Sequence, residues 1–300
     1  MADKSPIDRI LSSPTYRKAY EDIDFLKRDE ARPARLMLEL MKPELVLREQ
    51  GVRSTVVVFG GTRILAELQA RDRVSRLRAA LEAEPEDEEL RARLAVAERV
   101  LAKAPYYEQA RELARLISTT CQVGGPCDFV VMTGGGPGIM EAANRGALEA
   151  GAKSIGLNVT LPHEQAPNPY ISPELCFQFH YFAMRKMHFL LRAKAMVAFP
   201  GGFGTMDELF ETLCLIQTGK MKPIPVLLFG TEFWSRAVDF SFLAAEGVIS
   251  RPDLDLFRLV DSAEQAWAQI VEFYRARDEW PVPPAETPLR GEGGGPHLPP

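Results

Sequence analysis

Cysteine and histidine are scarce in this sequence, with four of each among 300 residues. No C-x-x-C, H-E-x-x-H or H-x-H spacing occurs. Zinc sites usually use such spacings, so we expect no dedicated metal site. The four cysteines are Cys121, Cys127, Cys176 and Cys214. Cys121 and Cys127 flank a Gly-Gly-Pro turn and could approach each other, but we expect all four to be reduced thiols in or near the core.

Long apolar runs and a dominant charge are also missing. The longest runs, STVVVFGG and AKAMVAF, have the length of a strand and not of a membrane span. The N-terminal MADKSPIDRI mixes acids and bases, so we expect no signal peptide and take the cytoplasm as the default compartment. The formal net charge of −5 argues against a broad nucleic-acid or membrane-surface partner.

Short β-branched runs alternate with longer helical patterns after residue 54. Most of the runs are continuously apolar, as strands buried on both faces should be. The alternation predicts an α/β fold, a Rossmann-like doubly wound, mainly parallel sheet with helices on both faces. The predicted strands are 54–60, 128–134, 154–161, 175–182, 195–201 and 224–230, and the predicted helices are 106–121, 137–150, 184–194, 205–218, 233–246 and 262–278.

Three regions fall outside this alternation and suggest a domain organisation. Residues 1–50 are charged with apolar positions at helical spacing, which predicts an N-terminal helical extension to the Rossmann-like domain at 51–280. Residues 64–104 read as an inserted helical hairpin, either a solvated arm or a partner contact. The tail at 281–300 is rich in proline and glycine and is expected to be disordered.

The first glycine-rich turn, VVMTGGGPGIM, runs from a buried strand into a helix near Pro137. Glycines let a ligand approach the backbone, and a helix N-terminus favours a phosphate. A dinucleotide fingerprint would need glycine where Ile139 stands and an acid near Asn158. A Walker A motif is excluded as well, because it needs serine or threonine after its lysine and Lys220 in TGKM is followed by methionine. The remaining alternative is a tight turn that binds nothing.

The second turn, VAFPGGFGTMDELFETL, repeats this arrangement and adds acids. We expect the two turns at the ends of neighbouring strands, facing one crevice. Thr205 and Glu208 fit a T-x-x-E capping box as well as a ligand site, so spacing leaves both open. Between the turns, Arg185 and Lys186 lie near a helix start, where cations are unfavourable without an anion partner; an ordinary solvated pair is the alternative.

These residues together resemble the LOG phosphoribohydrolases, a family often mislabelled as lysine decarboxylases, and in particular its longer bacterial branch. The signature P-G-G-x-G-T-x-x-E stands at 200–208, the R-K pair matches Arg185 and Lys186, and GGGPGIM is close to the family's first turn. The resemblance covers roughly residues 54–261.

The resemblance implies an enzyme that hydrolyses the N-glycosidic bond of a nucleoside 5′-monophosphate, in plant-like members a cytokinin riboside monophosphate. It implies Arg185 and Glu208 as catalytic residues, no metal or organic cofactor, and a homodimer or higher homo-oligomer. The implied substrate-binding residues are Gly135, Gly136, Lys186, Gly201, Gly202, Gly204, Thr205 and Asp207. A nucleotide or pterin-cofactor carrier of the same fold is the alternative function. A second, regulatory nucleotide site at the N-terminal helices or the hairpin is a further hypothesis.

Overall fold

The structure is a computed structural model that describes residues 5–122, 127–160 and 166–280. The chain divides into two compact units, Met1–Leu45 and Val46–Pro300. The tail predicted at 281–300, the Gly-Gly-Pro turn at 124–126 and the end of the strand predicted at 154–161 lie outside the described residues. Within the described ranges, no helix combines the length and apolar character needed to cross a membrane.

The larger unit is built on one parallel sheet, and the predicted fold class is confirmed. In the described chain the sheet has seven strands in the order β4-β3-β2-β1-β5-β6-β7. Every pairing is parallel. The strands are β1 (Thr55–Phe59), β2 (Val130–Thr133), β3 (Ser154–Val159), β4 (Cys176–Phe179), β5 (Ala193–Ala198), β6 (Val226–Phe229) and β7 (Arg258–Val260).

The helices connect these strands and precede them. The N-terminal region holds α1 (Pro6–Leu11), α2 (Ile23–Leu26) and α3 (Arg32–Glu49). Between β1 and β2 lie α4 (Glu67–Ala83), α5 (Glu88–Leu101) and α6 (Ala104–Cys121). The later helices are α7 (Ile139–Glu149), α8 (Phe182–Leu191), α9 (Phe203–Gln217), α10 (Thr231–Ala237), α11 (Phe240–Ala245) and α12 (Ala263–Arg275). The extension, hairpin and tail boundaries stay predictions.

The sheet buries both of its faces, which explains the continuously apolar strands. Val56 and Val58 of β1 pack in a cluster with α6, α7 and α12. Val57 and Phe59, which alternate with them, pack on the other face with α8, α9 and α10. Each fully buried side chain of this kind stabilises the fold by about 1.5–3 kcal/mol relative to an exposed one. Helices α4 and α5 pack against each other through a small cluster of their own around Val74, Leu77 and Ala97.

The strand order places the topological switch point between β1 and β5. The chain fills one half of the sheet from β1 outward to β4 and then returns to β5 on the other side of β1. Open α/β sheets bind ligands beyond the carboxyl ends of the strands at such a point. The glycine-rich turns that follow β2 and β5 were expected on neighbouring strands, and this was wrong because β1 lies between them.

Three local predictions differ from the structure. Strand β7 was not predicted. The helix predicted at 233–246 is divided into α10 and α11, because Asp239 begins a new helix by accepting a hydrogen bond from the Phe242 N–H at 2.8 Å. The helix predicted at 184–194 ends at Leu191, and Lys194 lies within β5.

Candidate active site

Three turns meet at the carboxyl ends of β2, β1 and β5. The turn after β1 lies between the other two and bonds to both: the Gly61 N–H donates to the Pro200 carbonyl at 2.9 Å, and the Gly61 carbonyl accepts from the Ile139 N–H at 3.3 Å. The sequence analysis missed this turn, FGGTR. Two adjacent glycines directly after a buried strand were the signal that could have found it.

Steric contact explains the glycines of the first turn. Gly138 has a φ of +75°, and a Cβ there would lie 2.4 Å from the Gly61 carbonyl oxygen. Gly135 has a φ of +74°, and its Cβ would lie 2.4 Å from the Asn158 Oδ1. Only glycine fits both positions without strain. The first turn is therefore a closely packed one, and its contact with a ligand stays a prediction.

A buried amide holds this first turn in place. The Asn168 Nδ2 donates to the carbonyls of Gly135 at 3.2 Å and Gly136 at 3.1 Å. It also donates to the Asn144 Oδ1 at 3.0 Å, which accepts a second bond from the Thr133 Oγ1 at 2.7 Å. Because these groups are buried, each unmade bond would cost about 1–3 kcal/mol. The sequence analysis did not assign Asn168 a role in the turn.

The second turn presents bare backbone at the start of α9. No atom lies within 4 Å of a Cβ built at Gly202 or Gly204, so both face open space. A Cβ at Gly201 would lie 2.1 Å from the Thr205 Oγ1, so the threonine packs directly on this glycine. The first N–H groups of a helix have no partner inside it. The second turn thus offers an accessible set of backbone donors.

The capping-box alternative for Thr205 and Glu208 was wrong. Helix α9 begins at Phe203 with Gly202 as its N-cap, and no side chain caps it. Thr205 is inside the first turn and buried, and its expected role as the helix cap is taken by the glycine. Glu208 is therefore free of a capping role.

Glu208 is instead part of a charged cluster between α8 and α9. Its carboxylate is 4% exposed and lies 4.0 Å from an Arg185 terminal nitrogen and 3.5 Å from the Lys186 Nζ. Lys186 also pairs with Asp207 at 3.0 Å and with Glu211 at 2.8 Å. The predicted residues of the R-K pair and the signature thus come together in space.

Burial sets the direction of the pKa shift of Glu208 and of Arg185, whereas at Lys186 burial is outweighed by the acidic partners, which raise its pKa. Burial raises the pKa of Glu208 to about 7, against the attraction of Lys186 and Arg185, with smaller upward contributions from Glu211 and Asp207. Burial also lowers the pKa of Arg185, although a guanidinium stays charged at any working pH. A buried carboxyl that titrates near neutrality beside a cation is typical of a catalytic group.

Arg185 is held by two aromatic rings and keeps a donor available. Its guanidinium carbon lies 4.8 Å from the centroid of the Phe182 ring and 5.6 Å from that of Phe189. Its buried Nε has no hydrogen-bond partner in the part of the chain that the structure describes. Buried donors are almost always satisfied, so this one is suited to a ligand.

The described residues hold no group of three or more histidine, cysteine or acidic side chains arranged for a metal ion. The four cysteines are free thiols. Lys186 lies at the centre of the charged cluster, within ion-pair distance of three carboxylates.

The sequence is similar to a family model and to two rice proteins. A family model described as "Possible lysine decarboxylase" matches residues 140–270. The rice (Oryza sativa subsp. japonica) protein "Probable cytokinin riboside 5′-monophosphate phosphoribohydrolase LOG4" is 26% identical over 146 residues, 48% of this chain and 62% of that protein. Rice "Cytokinin riboside 5′-monophosphate phosphoribohydrolase LOG" is 28% identical over 183 residues, 60% of this chain and 71% of that protein. The chain thus covers less than two thirds of LOG4.

Solved structures show a weaker likeness. Two structures of the molybdenum cofactor carrier protein from Chlamydomonas reinhardtii have TM-scores of 0.44 and 0.43 at 18% and 19% identity. They cover 74% and 75% of this chain and 99% of each carrier chain. Scores this low bear on neither the fold nor the function.

The fold and the site define a Rossmann-like α/β protein with a charged cluster between α8 and α9. The sequence matches confirm its resemblance to the LOG family. The matched range includes the R-K pair and the whole P-G-G-x-G-T-x-x-E signature, while the first glycine-rich turn precedes it.

Proposed function

We propose that this protein is an enzyme that hydrolyses the N-glycosidic bond of a nucleoside 5′-monophosphate, giving a free base and ribose 5-phosphate. The observation that carries the proposal is the buried Glu208 carboxyl beside Arg185, about one turn along the helix that begins at the open glycines. The names of the rice relatives support this kind of enzyme.

We assign the 5′-phosphate to the start of α9. The backbone N–H groups of Gly201, Gly202 and Gly204 would donate to it, together with the Thr205 hydroxyl. The positive end of the helix dipole favours an anion there, and the open space at Gly202 and Gly204 leaves room for its oxygens. Gly135 and Gly136 would close the cleft from the side of the first turn.

The reaction proposed for this site is displacement of the base by water. The bond between C1′ and the base nitrogen breaks with its electron pair going to the base, and C1′ takes on oxocarbenium character. Water adds its hydroxyl to C1′, and its remaining proton balances the charge on the departing base. An ionised Glu208 would stabilise C1′ and orient the water. Its pKa of about 7 also suits proton transfer near neutrality.

Two neighbouring residues complete the assignment. Arg185 would hold the phosphate or the departing base through its guanidinium, whose Nε is available. It would not donate a proton, because its charge is permanent. Asp207, half exposed at the start of α9, is assigned to the ribose hydroxyls. The reaction needs neither a metal nor an organic cofactor.

The test is a product screen with purified protein. AMP, GMP, CMP, UMP and isopentenyladenosine monophosphate would each be incubated with the enzyme, and released base measured by chromatography. A cytokinin riboside monophosphate is among the candidate substrates. We expect Glu208→Gln to lose turnover by at least about 100-fold, the scale of a general acid–base contribution. Glu264→Gln, an exposed change on α12, is the matched control. An active Glu208→Gln would contradict the mechanism.

The same screen distinguishes the proposed hydrolase from a carrier that binds a nucleotide without cleaving it. A nucleotide that binds tightly and is recovered intact after long incubation would support a non-hydrolytic carrier.

We also propose that the protein forms a homodimer or a higher homo-oligomer. Apolar side chains are exposed beside the candidate site, namely Phe182 and Met187 on α8 and Phe203 and Phe210 on α9. Contiguous exposed apolar surface often marks a protein interface. Light scattering behind size-exclusion chromatography tests this, and a monomer at micromolar concentration would contradict it. The cytoplasmic compartment stays a prediction.

A further inference from the structure

Lys186 differs from Arg185 in what surrounds it. Its ammonium lies within ion-pair distance of three carboxylates: Glu211 at 2.8 Å, Asp207 at 3.0 Å and Glu208 at 3.5 Å. Its side chain is only 18% exposed. The sequence analysis assigned Lys186 to substrate binding, whereas its contacts in the structure are with acids of α9.

We propose that Lys186 is a positioning residue, which keeps Glu208 ionised and oriented for the reaction and does not contact the substrate phosphate. This inference rests on the function proposed above, because it assigns the ionised form of Glu208 a task.

The donor geometry of Lys186 supports this role. An ammonium has three N–H donors, and three carboxylates lie within reach of them. A phosphate approaching Lys186 would also approach those carboxylates and be repelled by them. Asp207 and Glu211 thus anchor the ammonium, and the third partner is the catalytic carboxylate.

The charges that face Glu208 come from two helices. Arg185 and Lys186 approach from α8 and favour its ionised form, while Asp207 and Glu211 on α9 disfavour it. Lys186 is the nearer of the two cations. Without Lys186, Glu208 would be buried next to the like charges of Asp207 and Glu211, and of the two cations only Arg185 would remain to favour its ionised form. An opposite charge this close typically moves a pKa by one to three units.

A titration that does not depend on activity tests the inference directly. Carbon-13 resonances of the glutamate carboxyls would be followed against pH, with Glu208 identified by the signal missing in Glu208→Gln. We expect Lys186→Met to raise the pKa of Glu208 by about one unit or more. Lys186→Arg should restore it, because the charge is kept. Lys220→Met also removes a lysine charge, but about three helical turns further along the chain from Glu208, and it should leave the titration of Glu208 unchanged. An unmoved titration in Lys186→Met overturns the inference.

Kinetics with AMP provide the second readout. In Lys186→Met the acid limb of the pH profile of kcat/KM should move upward with the titration, while KM above that limb stays within about twofold of wild type. A raised KM with an unmoved limb would mean that Lys186 contacts the substrate, and would overturn the inference. If wild type cleaves no nucleotide, the proposed function fails, and the titration still decides the role of Lys186. Lys186→Gln replaces the methionine variant should that one not fold.

Discussion

Replacing Glu208 with glutamine should make the folded protein more stable at neutral and alkaline pH while it removes activity. The wild-type carboxyl is 4% exposed, and burial raises its pKa from 4.5 to about 7. Glutamine fills nearly the same volume and never ionises. The variant therefore keeps the packing of α8 against α9 and removes the cost of a buried charge.

The magnitude follows from the two pKa values. Between about pH 4.5 and 7 the folded protein binds more protons at Glu208 than the unfolded chain does, so the free energy of unfolding of wild type falls as pH rises through this window. The full difference amounts to about 3 kcal/mol, since one pKa unit corresponds to about 1.4 kcal/mol. The stabilising contribution of the protonated form is present below the window and lost above it.

Urea unfolding at about pH 5 and pH 8 measures this difference. The stability of Glu208→Gln relative to wild type should grow by about 2 kcal/mol between the two conditions. The exposed control Glu264→Gln should show a change within about 0.5 kcal/mol. If the advantage of Glu208→Gln did not depend on pH, the Glu208 carboxyl would not titrate near neutrality and the electrostatic description of the site would be wrong.

Three further predictions concern the turns. Gly204→Ala should leave the free energy of unfolding unchanged or raise it by up to about 1 kcal/mol, because alanine suits a helix better and the space is open. The same change should raise KM for AMP, and an unchanged KM would mean that Gly204 is not part of the phosphate site. Gly138→Ala should cost roughly 1–3 kcal/mol in urea unfolding, since its φ is positive and its Cβ would meet the Gly61 carbonyl, and a neutral result would contradict the packing of these turns. Asn168→Ala should cost about 1–3 kcal/mol by removing the side-chain donor to the Gly136 carbonyl and the Asn144 Oδ1, and a stability equal to wild type would mean that the amide does not hold the turn.

The sheet could be predicted because strands buried on both faces leave continuous apolar runs. Five of the seven strands of the described chain are buried along most of their length, while β4 alternates because Gln178 is exposed. All six predicted strands were found within about three residues of their predicted ends. Strand β7 has three residues, Arg258–Val260, and two of them are exposed, so its sequence has no such pattern. The predicted strand positions also could not give the strand order, and β1 was therefore not placed between the two glycine-rich turns.

Only part of the candidate site could be predicted from the sequence. Its signature and R-K pair stand out by spacing, but spacing does not show that α8 and α9 pack side by side. For this reason the ion pairs of Lys186 with three acids were not foreseen. The T-x-x-E pattern was ambiguous for a physical reason: Gly202 takes the N-cap, and the helix starts two residues before Thr205. The roles of the site residues stay predictions.

The most direct measurement of the central claim is the product stoichiometry from AMP. Purified protein should release adenine and ribose 5-phosphate in equal amounts, with no adenosine or inorganic phosphate. Recovery of intact AMP, or release of adenosine with phosphate, would contradict cleavage at C1′.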